Sequence, residues 1–587
     1  MCCDFLKEDK ILNIKKIIFI GLLIFFHWAD ISAQKTVVFS KDKPSNRHLR
    51  TSGLLKKIAD SSTLYTRLEL LTEQCHAAGY PAFSIDSVSE LANHWAVFCY
   101  MGPYYGDALI RVPDSTRIHI DGNTLNYLKN NAIRLTDYST FAEKVIMRHE
   151  NNGHPFCAVS LQDVNLAQDT AGTLCIEPGP VVTYDSVIVR GTAKLKGAFL
   201  RPYLSWRRNK KYNERSVSQI PERLSRLPFV SVVREPGVEF VGNRAFLYLF
   251  IDRQRVNSFD GYIGLVPVSD ATGQVAVNGE VNLNLQNLFT IGERISLQWK
   301  APERYSQFLN VAVEFPYLFG TPFGISGSFI LDKKDTTYLN MNYLVALQYS
   351  FSGNNDLRTY FQYATSSVLS VNPDYIVALD TLSTDYRKAM YGIQLNINQL
   401  DNMMQPWRGV SAQLDLSAGT RTLLPSAKVP LTLLETSELK TANYILKGRI
   451  AGYVPIGKRW GWAGGVLGAT QFGGPAVYND LFRIGGTRTL QGFDEQSIYA
   501  STYLIATTEF RLRFAKLSYI NLFFNAAWYE RNVAGAYASD WPFGFGVGAT
   551  FHTKAGDLYI SYALGQQHDS PISFKTGKIH FGMNVRF

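Results

Sequence analysis

The sequence predicts a transmembrane 16-stranded antiparallel β-barrel preceded by three small α+β units. Three observations carry that expectation. From about residue 258 onward apolar residues recur with a period of two, broken by turn-rich stretches. The 587 residues include 32 Tyr, 36 Phe and 9 Trp, with few long helical patterns after about residue 230. Ahead of the period-two region a helix, turn, strand, strand pattern repeats. A chain this long exceeds one ordinary core, so more than one structural unit is expected.

The first element is a leader. Lys15 and Lys16 precede an apolar run, Ile17 to Phe26, and a small-residue exit at Ser32-Ala33, which reads as a secretory signal peptide over 1–33. The run is far shorter than the roughly 20 residues of a spanning helix. No later apolar stretch reaches that length, so any membrane crossing falls to strands. Export permits disulfides, and Cys75, Cys99, Cys157 and Cys175 remain after cleavage. Cys2 and Cys3 precede the apolar run and so are not placed as a lipoprotein acceptor. Cys75 shares a helical face with Leu64, Leu68 and Leu71, and Cys99 a strand face with Trp95 and Val97. Helix-on-sheet packing would bring the two thiols together, either as a disulfide or as buried free thiols. The net charge of +10 raises nucleic acid or a membrane surface as partners, and export argues against nucleic acid. The densest basic run, "RRNKKYNER" (Arg207 to Arg215), reads as a solvated helix face, the alternative being contact with phosphates or a partner.

Three units follow, at 51–113, 114–180 and 181–254. "AGYPAFSIDSV" and "NGHPFCAVSLQDV" each follow an amphipathic helix and lead through a second strand to Gly-Pro, with Gly79 to Gly102 and Gly153 to Gly179 separated by 23 and 26 residues. "TVVFS" at 36 to 40 is a weak candidate for the first unit's opening strand. The third unit reads "YDSVIVRG", then helices in "KGAFLRPYLSW" and "SVSQIPERLSRL", then a hairpin of "PFVSVVREPG" and "RAFLYLFIDR". This order and the "LSRLPFVSV" junction resemble polypeptide-transport-associated (POTRA) domains, which stand in tandem ahead of a β region.

In the region 258–587, strands are expected to start near 258, 273, 291, 306, 322, 337, 357, 388, 407, 440, 459, 502, 517, 541, 556 and 577. A tilted strand spans a bilayer in roughly ten residues. In the last strand Ile579, Phe581, Met583, Val585 and Phe587 share one face; in "WPFGFGVGATF" apolar residues face three glycines. Alternation alone would also suit a soluble sandwich. Aromatic clusters at strand ends, as in "FPYLFGTPF" and "KRWGWAG", fit interface girdles and favour the membrane.

Between the eleventh and twelfth expected strands lies a loop, 472–500, containing "LFRIGGTRTLQGFDE". It resembles the lumen loop of the outer-membrane protein assembly superfamily, the BamA and TamA type (bacterial surface antigen family), and the terminal Phe587 resembles the family's barrel signal. The matching residues are Arg483, Gly485, Gly486, Arg488, Leu490, Gln491, Gly492 and Phe493. Where the family carries Arg, this chain has Gln491. The family's acidic partner on the thirteenth strand falls in "LFFNAAW", where Asn525 faces inward and Leu522, Phe524, Ala526 and Trp528 outward. Both members of the charge pair are thus neutral amides, and a contact between Gln491 and Asn525 is expected to dock the loop. The alternative is that Arg488 supplies its charge to Glu509, with Arg511 beside it on the wall.

"RHENNGH" places His149 and His154 five apart, off a common helical face, so the zinc-helix spacing is not met. His154 takes the turn position of Tyr80 in the repeat. No catalytic, cofactor or metal site is expected. The resemblance implies a factor for assembly of outer-membrane proteins, with unfolded clients and outer-membrane lipid as partners, no nucleic acid, and an accessory periplasmic protein or lipoprotein left open. A two-partner secretion pore exporting a dedicated exoprotein is the competing expectation.

Overall fold

The computed structural model describes residues 36–41, 43–54, 56, 58, 60–92, 94–117, 120, 132–165, 170–267, 275–301, 305–352, 354–370, 383–403, 405–424, 439–474, 476–487, 489–515, 517–533, 536–553, 556–568, 572 and 574–585. The expected leader, Arg488 and Phe587 lie outside them. Two compact units result, one running to Val181 with Tyr212–Glu214, the other covering Val182–Lys211 and Arg215–Phe587.

The first unit opens with β1 (Thr36–Lys41), α1 (Asn46–Thr51), α2 (Ser61–Ala77), β2 (Ser84–Glu90) and β3 (His94–Tyr100). β3 is central, parallel to β1 and antiparallel to β2. The sheet therefore reaches back to Thr36, ahead of the expected start at 51. α2 forms because Asp60 caps it, accepting from the Thr63 N–H at 2.6 Å, and because Leu64, Leu68, Leu71 and Cys75 make one buried stripe. Cys75 and Cys99 lie in the same core with Phe83, Trp95 and Val97, and no disulfide joins them. Burial, and then the neighbouring Cys99, pushes the Cys75 thiol from its ordinary 9.0 up to about 11. A thiol whose folded value is raised adds stability below pH 9 that is lost as pH rises toward about 11. Cys75 is expected to resist alkylation at pH 8 until the unit unfolds, which mass-resolved labelling against denaturant checks.

A second sheet and helix set follows: β4 (Leu109–Arg111), α3 (Asp114–Arg117), β5 (Ala132–Arg134), α4 (Leu135–Asn151), β6 (Ala158–Gln162) and β7 (Thr170–Glu177). Again the opening strand β4 runs parallel to the last, β7, with β6 antiparallel beside it. The sequence repeat is a conformational repeat: φ is +98° at Gly79 and +101° at Gly153, and +69° at Gly102 and +70° at Gly179. The Tyr80 N–H donates to the Cys75 carbonyl and the His154 N–H to the His149 carbonyl, at 3.0 and 2.9 Å. His154 is thus a turn residue, its Nδ1 3.0 Å from the Gly179 carbonyl.

The second unit begins with the same frame, β8 (Thr183–Arg190), α5 (Gly197–Leu204), α6 (Glu214–Ser218), α7 (Ile220–Ser225), β9 (Val230–Val241) and β10 (Arg244–Arg253), with β8 parallel to the central β10. The basic run at 207–213 is a turn and coil rather than a helix face. Tyr184 stacks on Trp206 with centroids 3.9 Å apart, and its backbone takes the Asn209 N–H and the Lys210 carbonyl, so those groups are spent on the sheet.

The remainder is one antiparallel sheet: β11 (Ser258–Pro267), β12 (Val275–Gln286), β13 (Arg294–Ala301), β14 (Gln307–Phe315), β15 (Phe323–Lys334), β16 (Tyr338–Ser352), β17 (Asn355–Val368), β18 (Asp385–Leu400), β19 (Gly409–Leu424), β20 (Lys440–Ile456) and β21 (Trp460–Phe472). A connection with its own small hairpin, β22 (Phe482–Ile484) and β23 (Ile498–Ala500), precedes β24 (Thr502–Ala515), β25 (Ser518–Val533), β26 (Ala536–Asp540), β27 (Phe543–His552), β28 (Gly556–Gln566) and β29 (Lys578–Val585). β26 and β27 both pair with β25 and are two halves of one strand broken at Trp541-Pro542, where proline has no ladder N–H. Counted so, the sheet has about sixteen strands, and the fourteenth starts at Ala536 rather than near 541.

The faces are inverted relative to a soluble sheet. Phe361, Ile393, Ile450, Val466 and Leu522 are exposed, Ile450 by 59%, while Gln348, Lys388, Arg421 and Asn525 are buried, Lys388 at 5%. Such a belt is at home in lipid, with polar groups turned to an interior. The two end strands of the sheet, β11 and β29, approach within contact distance of each other. Among the described residues no ladder joins those two strands.

Candidate functional site: the inward-folded loop

The connection from β21 to β24 turns into the interior and is fastened at both ends. At its base, Tyr478–Asp480 forms one tight 3-10 turn. Asn479 is 3% exposed. Its Nδ2 donates to Ser366 Oγ at 2.6 Å and to the Thr384 carbonyl at 2.9 Å, its Oδ1 accepts the Thr384 N–H at 3.3 Å, and its carbonyl accepts from Asn340 Nδ2 at 3.0 Å. Asp480 Oδ2 lies 2.6 Å from Lys388 Nζ and 3.3 Å from an Arg421 guanidinium nitrogen, all three side chains being at most 8% exposed. Arg483 pairs with Asp332 of β15. Buried charge is tolerated here because it is paired and hydrogen-bonded.

The middle carries its own apolar core. Ile484, Leu490, Phe493 and Ile498 pack with Ile505, Ala527 and Tyr529 of the wall. Gly485 and Gly486 have φ of +117° and +84°, turning the chain back on itself, and Thr489 Oγ1 bridges the N–H and carbonyl of Gly485 at 2.8 Å each.

At the tip the structure brings Gln491 and Asn525 together through the peptide of Gln491, not through its side chain. The Gln491 N–H donates to Asn525 Oδ1 at 3.1 Å, and Asn525 Nδ2 donates to the Gln491 carbonyl at 3.1 Å and to the Gly544 carbonyl at 3.0 Å. A peptide and a primary amide each offer one donor and one acceptor side by side, so they pair as a ladder rung does. The side chain of Gln491 lines an interior cavity together with Tyr559 instead. Gly492, at φ +99°, lies against the backbone of β28: a methyl there would sit 2.6 Å from the Leu564 carbonyl and 2.9 Å from the Gly565 nitrogen. Gly492→Ala is therefore expected to lift the tip off the wall, seen as faster protease cleavage within 472–500 than in the unaltered chain.

The other expected wall residues pair with each other. Glu509 and Arg511 pair along β24 at 2.7 Å, and Arg511 also donates to the Pro406 carbonyl at 2.9 Å. With Thr489, Gln491 and Asn525 they line an interior cavity of about 440 Å³. Arg488, proposed from sequence as their partner, is outside the described residues. The loop instead reaches the last strand through Asp494 and Lys578, 2.8 Å apart. Phe581 faces outward, 68% exposed. Met583 and Val585 lie in β29 two and four positions further on.

Sequence reasoning missed Asn479, Asp480, Lys388 and Arg421, whose alliance joins strands far apart in the chain. It also passed over Gly544 and Gly565, whose missing side chains let the tip approach. The glycine face of "WPFGFGVG" was the available signal.

A family model described as the Omp85 superfamily domain matches residues 287–587. No curated protein matches the chain. Among solved structures, CdiB from Escherichia coli is similar at 13% identity and a TM-score of 0.51, over 93% of this chain and 100% of that one. CdiB from Acinetobacter baumannii follows at 12% and 0.48, over 93% and 100%. BamA from Haemophilus ducreyi lacking POTRA domains 1–3 is similar at 16% and 0.42, over 81% and 98%. At such identities the likeness concerns the fold. The family match covers just over half of the sequence, and the chain belongs to the Omp85 superfamily of bacterial outer-membrane proteins that insert or secrete other proteins.

Proposed function

We propose that this chain inserts proteins into the outer membrane, and that three POTRA-like modules, 36–113, 114–180 and 181–254, stand in the periplasm and receive unfolded clients at their sheet edges. The observation that carries this reading is the loop fastened at both ends across the interior, beside a pair of terminal strands with no ladder among the described residues. A plug held by buried ion pairs obstructs a conduit, whereas the β11–β29 seam offers strand edges to a client. The loop acts as a strut: its base holds β15–β19, and its tip holds β25, β27, β28 and β29. No covalent chemistry is required. Burial of client apolar surface in lipid supplies the free energy.

Cysteine pairs scanned across the seam, beside Phe259 in β11 and beside Phe581 in β29, test the reading. Oxidative locking is expected to stop client insertion and to be reversed by reductant. Undiminished export of an exoprotein through a locked barrel would favour the two-partner secretion pore instead.

A further inference from the structure

The end of the sheet nearest β8–β10 carries two turns built the wrong way round for water. In the turn 287–293 the polar groups are hidden: Glu293, 1% exposed, accepts the Phe289 and Ile291 N–H groups at 2.7 and 3.3 Å, and Asn287 Oδ1 accepts the Gly292 N–H at 3.0 Å. What projects is apolar, Leu288 at 46% and Phe289 at 55% exposure. In the turn 316–321 the Leu318 carbonyl takes both the N–H and the hydroxyl of Thr321, at 2.9 and 2.8 Å, while Phe319 stands 97% exposed at φ +54°. A bulky residue held at positive φ and fully exposed is placed at a conformational cost, which burial elsewhere would offset.

Both turns touch the α5 segment. The Lys196 N–H donates to the Thr290 carbonyl at 2.9 Å, and Asn287 Nδ2 donates to the Lys194 carbonyl at 3.4 Å. Gly320 sits over Ala198. Lys194, Lys196 and Arg201 are exposed along this segment. The apolar tips continue the outward belt, since Phe323, 47% exposed, begins β15 just past the second turn.

We propose that these two turns with Lys194, Lys196 and Arg201 form a membrane-surface anchor, whose apolar tips enter the interface of a phospholipid leaflet while the three cations meet its phosphates. Aromatic and apolar residues on one side and cations on the other are the chemistry of interfacial binding. The anchor would fix the third module against the leaflet from which the barrel rises. It goes beyond the insertion reading and needs only that the sheet lies in a bilayer.

The test uses the full chain, carrying a benzophenone amino acid at position 319, in vesicles of phosphatidylethanolamine and phosphatidylglycerol. Because both leaflets are phospholipid, orientation in the cell does not enter. Phe361 on the belt and Val233 on β9 are the comparison sites. Lipid adducts at 319 are expected at a yield comparable to that at Phe361 and about tenfold above that at Val233. Yield at 319 no higher than at Val233 would overturn the anchor. Phosphatidylglycerol is expected to be enriched among the adducts over its share of the vesicle, and changing Lys194, Lys196 and Arg201 to Gln to return it to that share. An unchanged share would remove the cations from the proposal.

Discussion

Asp480→Asn is expected to destabilise the barrel by about 3 to 5 kcal/mol, because it leaves Lys388 buried at 6% exposure beside Arg421 without the carboxylate that pairs both. The loss should appear as a lower temperature for the heat-induced shift between folded and unfolded forms on a gel, together with early protease cleavage in 472–500. Asn479→Ala acts on the same knot. A control at Asp494, 71% exposed and paired with Lys578, is expected to change stability by less than about 1 kcal/mol. The base and the tip are therefore unequal: charge in a dry site holds one, hydrogen bonds and backbone packing the other.

The second large effect is at Asn525. Asn525→Ala removes three hydrogen bonds at a site 2% exposed and strands the N–H and carbonyl of Gln491 and the carbonyl of Gly544, an expected loss of about 3 kcal/mol or more. Asn525→Asp should be at least as damaging, since a carboxylate has no proton to offer two carbonyls. Gln491→Ala keeps its peptide and is expected to lose only about 1 kcal/mol. The double change Gln491→Ala with Asn525→Ala should then be close to additive, because the side chain of residue 491 is not the partner. Equilibrium unfolding of the four proteins in detergent micelles checks this, and a coupling above about 1 kcal/mol would return the side chain to the contact.

Much of this fold was legible because strands in lipid leave a strict trace. Ile579 and Phe581 point outward and His580 between them does not, so periodicity alone located most strands within a few residues. The break at Trp541-Pro542 was missed because the apolar pattern resumes at Phe543 and hides the earlier half of the strand. Thr36–Lys41 was weak in sequence because its partner, β3, lies beyond two helices and a strand, so that its parallel pairing is a tertiary fact. The loop was legible from its glycines and from resemblance. Its fastening was not: Arg483 and Asp332 are 151 residues apart, and nothing local at either announces the other. The amide logic at Gln491 and Asn525 expected two side chains to meet, whereas in the structure it is the peptide of Gln491 that pairs with the Asn525 amide. For "RRNKKYNER" the local charge pattern was overruled by Tyr184, whose backbone claims the segment for the sheet.

The central claim is that the chain serves many client barrels through its seam rather than one exoprotein through its interior. Depleting the protein in cells and quantifying the outer-membrane proteome tests it most directly. The account predicts that several unrelated β-barrel proteins fall together while secreted proteins persist; loss of a single secreted protein with the barrels intact would contradict it.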